Sequence, residues 1–111
     1  MADIGEIEPV ELKARRERHD PNDKLAVLDV REPEEIAIAP FPDATQIPMG
    51  DIPSRITELD PDAEWVVVCH HGMRSAQVAM YLARMGFERV SNLNGGIEAW
   101  SLTADPATPR Y

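Results

Sequence analysis

An α/β fold, with a mostly parallel central sheet flanked by helices on both faces, is predicted by two features of the sequence. Short apolar runs alternate with helical patterns along most of the chain, and that alternation builds parallel sheets covered on both sides. The run WVVVC, at residues 65–69, is the strongest strand signal, and a helical pattern starts a few residues beyond it. In such sheets ligands sit beyond the carboxyl ends of the strands, where Cys69 falls. At 111 residues the chain holds one domain, assigned to residues 1–103, with a loosely held Pro-rich tail over 104–111.

The elements follow in order. IGEI (residues 4–7) suits a short edge strand. EPVELKARRER reads as a helix, with Pro9 in its first turn and acidic residues at the positive end of the dipole. HDPND turns the chain into LAVLDV (25–30), a buried strand rich in branched residues. Pro33 begins a short helix in REPEEIAIA. Pro40, Pro42 and Pro48 then break any regular helix, leaving a brief strand at 45–47. DIPSRITEL suits a short helix with Asp51 as its cap. From 73 to 85 the pattern is helical, with Ala76, Ala79, Met80 and Ala83 in one stripe and Val78, Tyr81 and Leu82 beside it. Gly86 suits the position after the helix, with Phe87 folding back as its apolar partner. RVSNL is a last strand, and NGGIEAWS supplies a glycine turn and a final helical turn.

Composition narrows the function. A net charge of −9 repels phosphate backbones and anionic lipid, so neither nucleic acid nor a membrane surface is an expected partner. No apolar run approaches the ~20 residues that cross a bilayer, and the N-terminal stretch does not read as a secretory signal. A cytoplasmic, reducing location is the expectation, where a lone thiol stays reactive.

Cys69 is the single cysteine, which excludes an intramolecular disulfide. It stands where a strand feeds a helix through the short loop CHHGMRS. The first N–H groups of a helix lack internal partners, and a tight loop can converge them on one point that attracts an anion. A sulfur held there is favoured as thiolate. Arg74 adds a fixed charge and a fork suited to an oxyanion. Gly72 permits backbone conformations a side chain blocks, and Ser75 offers a hydroxyl. His70, His71 and Met73 complete the candidate substrate-binding set, with Cys69 as the catalytic residue. The bland alternative is a buried packing cysteine. Adjacent histidines rarely aim at one centre, so neither a metal nor a cofactor is expected; the histidines are read as rim residues.

Four segments, LDVREPEE, IPMGDIPSRI, VVVCHHGMRSAQVAMYLARMGF and VSNLNGGIEAW, together resemble the single-domain rhodanese-like sulfurtransferase family, in the family's order. The chain departs from it at APFPDATQIP, where a His-Ile-Pro-Gly-Ala segment is usual. The resemblance implies a rhodanese-like fold and a two-step reaction. Cys69 takes the outer sulfur of a donor such as thiosulfate, holds it as a persulfide within a ring of loop amides, and yields it to cyanide, a thiol or a partner protein. A relay between proteins with little free thiosulfate turnover is the alternative. Phosphatases and arsenate reductases on this fold are disfavoured, because four residues separate Cys69 from Arg74 and the phosphatase loop has one more.

Outside the cysteine loop, Asp29 and Arg31 are expected to brace the loop between their strand and the helix after it, by capping and ion pairing, and Gly95 and Gly96 to form a turn before the last helix. Trp65 and Trp100 should anchor the core or its edge. The KARRER cluster reads as a solvated face, or as a docking patch for an acidic partner.

Overall fold

The structure is a computed structural model that describes residues 4–111. The described residues form five strands: β1 (Gly5–Ile7), β2 (Leu25–Asp29), β3 (Thr45–Gln46), β4 (Glu64–Val68) and β5 (Val90–Leu93). They lie in the order β1-β5-β4-β2-β3, and every neighbouring pair is parallel. Five α-helices connect them: α1 (Pro9–Glu17), α2 (Pro33–Ile38), α3 (Ile52–Arg55), α4 (Met73–Arg84) and α5 (Gly96–Ala99). A π turn, Trp100–Ala104, continues α5.

The period-two geometry of a strand sorts β4 into two faces. Trp65 and Val67 pack with Leu28, Ile52, Val78, Ala79 and Leu82 under α3 and α4, and Cys69 belongs to the same cluster. Val66 and Val68 face the other side, with Leu12 of α1 and Ile97 and Trp100 of the α5 segment. The two tryptophans therefore anchor opposite cores, each nearly buried. The register sets Val67 beside both Leu28 and Asn92, so the ends of β2, β4 and β5 converge on one edge of the sheet.

Several details differ from expectation. The buried stripe of α4 is Ser75, Val78, Ala79 and Leu82, spaced i, i+3, i+4, i+7, while Met80 is exposed. A hydroxyl thus begins the apolar stripe, which places Ser75 inside the protein. Asp51 occupies the cap position of α3, yet its side chain makes no capping bond among the described residues; Ser54 Oγ instead donates to the Asp51 carbonyl at 3.1 Å. The helix α4 closes as expected, with the Gly86 amide on the Ala83 carbonyl and the Phe87 amide on that of Leu82. The KARRER cluster is not simply solvated. Lys13 donates to the Ala104 carbonyl, Arg15 bridges Asp23 and Glu64, and Arg16 bonds the Pro42 carbonyl.

The Pro-rich tail is fastened rather than loose. Ser101 Oγ donates to the Thr108 carbonyl at 2.6 Å, Thr108 is buried, and Tyr111 reaches back to the sheet edge. Turn bonds to Asp105 replace the helix that the prolines forbid.

Asp29 and Arg31, both fully buried, form a closed pair: Arg31 Nη2 lies 2.7 Å from Asp29 Oδ2, and Nε lies 2.9 Å from Oδ1. Arg31 also donates to the Ala39 carbonyl and to the Tyr111 hydroxyl. These bonds tie the loop after β2 to the end of α2 and to the tail, which bears out a bracing role. Removing one partner strands the other in low dielectric. Arg31→Met is expected to lower unfolding free energy by about 3–5 kcal/mol in urea titration, and a loss below about 1 kcal/mol, the range of exposed pairs, would show that the pair is not sealed from water.

Candidate active site

The loop of residues 69–74 leaves the carboxyl end of β4 and is gripped from beneath by α5. The Ile97 amide donates to the Cys69 carbonyl at 2.9 Å, and the Glu98 amide to the His70 carbonyl at 3.0 Å. The first N–H groups of a helix need outside acceptors, and here the loop supplies them. A trans peptide points its N–H opposite to its C=O. Turning these two carbonyls toward α5 therefore turns the His70 and His71 amides away from it. The approach is close enough that a Cβ on Gly96, itself at φ +63, would lie 2.6 Å from the Cys69 carbonyl oxygen. Gly72, at φ +103, makes the turn into α4.

Cys69 is 1% exposed, so its sulfur forms the floor of the loop and not an open mouth. The Gly72 amide donates to Sγ at 3.1 Å. Ser75 Oγ lies 3.2 Å from Sγ and 2.5 Å from Asn92 Oδ1, and its single proton serves one acceptor at a time. Asn92 Nδ2 donates to the Gly72 carbonyl at 3.0 Å, which fixes the amide orientation and ties the loop to β5.

A rim of rings and charges covers that floor. The His70 ring is stacked between His71 (centroids 4.0 Å apart) and Tyr111 (3.9 Å). Burial, and then the neighbouring His71, hold His70 below its ordinary 6.5 and so largely neutral at pH 7. Met73 projects into solvent, 76% exposed. The Arg74 fork is spent on Glu35, at 2.7 Å (Nη1 to Oε1) and 2.9 Å (Nη2 to Oε2). The Tyr111 hydroxyl donates to Glu35 Oε2 at 2.8 Å, and the Glu32 amide to Oε1 at 3.1 Å. Hydrogen bonding from Arg74, above all, brings the Glu35 carboxyl down to about 2. Burial is the main reason the Tyr111 hydroxyl is pushed up to about 12.

His70, His71 and Glu98 bring ligand-type atoms within 4.8 Å of one another. The two rings are only 23° from parallel, so their in-plane lone pairs run side by side and do not converge on one cation. The geometry suits a ring stack better than a metal centre.

All seven candidate residues of the loop thus gather at one end of the sheet, with Cys69, Gly72 and Ser75 inside and His71 and Met73 outside. Sequence reasoning missed Asn92, a buried amide in the short strand VSNL, where Ser91 beside it masks the signal. It missed Glu35 and Tyr111, which no spacing connects to the loop. Gly95 ends a turn as expected, while Gly96 is already the first residue of α5, and it is at Gly96 that the loop is seated.

Comparison with known proteins agrees with this geometry. The rhodanese-like domain matches residues 8–103. The putative sulfurtransferase YtwF of Bacillus subtilis is 42% identical over 101 residues, covering 91% of this chain and 97% of its own. The thiosulfate sulfurtransferase GlpE of Pseudomonas syringae is 34% identical over 103 residues, covering 93% and 92%. The crystal structure of a rhodanese-like domain protein from Staphylococcus aureus superposes with a TM-score of 0.82 at 31% identity, over 97% of this chain and 99% of that one. The chain belongs to the rhodanese-like family. Among the described residues no helix is long and apolar enough to cross a membrane.

Two outcomes follow from the contacts. Gly96→Ala forces the loop off α5 and is expected to cost more than about 2 kcal/mol, from overpacking and left-handed strain together; a neutral result in thermal unfolding would show that the grip is loose. Glu35, with its folded value near 2 against an ordinary 4.5, stabilises the fold above about pH 4.5 and loses that contribution as pH falls toward 2. The stability gap between the native protein and Glu35→Gln should therefore narrow over that window in acid titration, and a gap independent of pH would contradict the pairing.

Proposed function

We propose that this rhodanese-like domain is a sulfurtransferase in which Cys69 carries sulfane sulfur from thiosulfate or a similar donor to a thiophilic acceptor. The observation that supports it most is the Gly72 amide 3.1 Å from Sγ, in a loop whose carbonyls α5 holds away from the sulfur. The relative named a thiosulfate sulfurtransferase agrees with this chemistry.

In the first step the Cys69 thiolate attacks the outer sulfur of thiosulfate. A new S–S bond forms, the S–S bond of the donor breaks, and sulfite leaves with the electron pair. Two negative charges leave on sulfite and one remains on the Cys69 persulfide. Gly72, and the His70 and His71 amides turned away from α5, are the donors suited to that anion. The Ser75 hydroxyl donates its hydrogen bond to Sγ while the thiolate waits, and turns it to Asn92 Oδ1 once Sγ is bonded to sulfur. In the second step a thiol, cyanide or an acceptor protein attacks the outer sulfur and regenerates the thiolate. With one cysteine in the sequence, no resolving thiol is available within the chain, so the acceptor comes from outside. Burial of Sγ keeps bulky oxidants off a thiolate that lacks a disulfide escape.

Four residues between Cys69 and Arg74 make a ring sized for one sulfur atom, which favours sulfur over phosphoryl transfer. His70, His71 and Met73 border the approach to Cys69, and Arg74, paired with Glu35, closes the loop beside it. A lone thiol of this kind is suited to a reducing, cytoplasmic setting.

Single-turnover treatment with a sulfane-sulfur donor, read by intact-mass spectrometry, tests the proposal. One added sulfur atom is expected on the native protein, removable by cyanide, and none on Cys69→Ala. Equal loading of the variant, or no loading by thiosulfate or by a small persulfide, overturns it.

A further inference from the structure

An arginine fork receives an oxyanion through two parallel N–H donors. In this protein both donors of Arg74 are already taken by Glu35. The carboxylate is not a casual partner. It accepts from two Arg74 nitrogens, from the Glu32 amide at 3.1 Å and from the Tyr111 hydroxyl at 2.8 Å. Tyr111 is itself fixed by Arg31 Nη1 at 3.1 Å and by its stack on His70. Across the stack, Glu98 Oε2 lies 3.6 Å from His70 Nε2. An anionic donor therefore meets Arg74 already compensated by Glu35, and beyond the stack Glu98 compensated by Arg110, with no free cation at the rim among these groups. To use the Arg74 fork it must displace a carboxylate held by four hydrogen bonds.

We propose that Glu35 sets the donor specificity of Cys69, turning the site away from the thiosulfate dianion and towards persulfidated thiols of no net negative charge. This rests on the sulfur-transfer reading of Cys69 and adds to it the class of donor. The step balances without an oxidant: the Cys69 thiolate attacks the outer sulfur of R–S–SH, the new S–S bond forms at Cys69, and R–S⁻ departs with the electron pair of the broken bond. No oxyanion is present on such a donor, so the Arg74 fork is not required to open. Glu35 acts here through Arg74 and is a positioning residue.

The test compares sulfur loading of Cys69 by thiosulfate and by cysteamine persulfide, with the full chain, over a range of donor concentrations. Glu35→Gln keeps the shape of the side chain and removes its charge. It is expected to raise the thiosulfate-to-persulfide ratio of kcat/KM about tenfold, the effect of one modest interaction, mainly through a lower half-saturating thiosulfate concentration. Tyr111→Phe, which removes one donor from Glu35 and keeps the ring stack, should shift the ratio the same way by less. Glu34→Gln, an exposed carboxylate on the same helix, removes the same charge away from the fork; it should move the ratio by no more than about twofold, as screened surface charges do.

An unchanged ratio in folded Glu35→Gln overturns the inference, as does an equal shift in Glu34→Gln. Should Glu35→Gln fail to fold, Tyr111→Phe carries the same comparison, and an unchanged ratio there is equally decisive. Loading of the native protein by both donors with an unmoved ratio sinks the specificity claim alone. Loading by neither donor sinks it together with the sulfur-transfer reading.

Discussion

Two main-chain hydrogen bonds, from the Ile97 and Glu98 amides to the Cys69 and His70 carbonyls, are the constraint on which the site depends. α5 is a single turn and has no stability of its own. It persists because Ile97 and Trp100 are buried against the sheet and because the loop accepts its first amides. The loop, in turn, has its first two peptides oriented by α5. Gly96 lets the two backbones meet, and the parallel pairing of β4 with β5 brings both to the same edge. Asn92 adds a third tie, from β5 to the Gly72 carbonyl. A loop held at both its carbonyl and its turn keeps donors aimed at one sulfur without reorganisation, which is how electrostatic stabilisation is achieved at low cost.

The second organising feature is a chain of hydrogen-bonded side chains across that edge, two ion pairs joined through a neutral tyrosine. Asp29 holds Arg31, Arg31 holds Tyr111, Tyr111 holds Glu35, and Glu35 holds Arg74. It links β2, the tail, α2 and α4 around the loop. In a protein of net charge −9 it leaves the cation beside the thiol compensated. The surface therefore offers a small anion less than the loop motif alone suggests. Whatever reaches Cys69 does so past a ring stack and an ion pair, to a sulfur that is almost wholly covered.

Much of this was legible in the sequence. The apolar runs of β2 and β4, proline-started helices and the glycine after α4 carried the fold, because each is a local property of a few residues. The βα order placed Cys69 at a strand end for the same reason. The buried stripe of α4 was misread by one position, since alanines mark close packing less directly than Val78 and Leu82 do. The tail was misread because proline content reports the absence of helix and not the absence of contacts; Thr108 and Tyr111 are held by side-chain bonds that no periodicity encodes. Glu35 is hidden for a related reason. In REPEE it reads as one more first-turn acid, and only the fold brings it to Arg74, 39 residues later.

The grip of α5 on the cysteine loop is tested most directly by a high-resolution crystal structure of the sulfur-loaded protein. The outer sulfur should lie within hydrogen-bonding distance of amides from residues 70–74, with the Ile97 and Glu98 bonds to the loop unbroken. A loop swung away from α5, or a sulfur lodged among the apolar side chains with no amide near it, would contradict the claim.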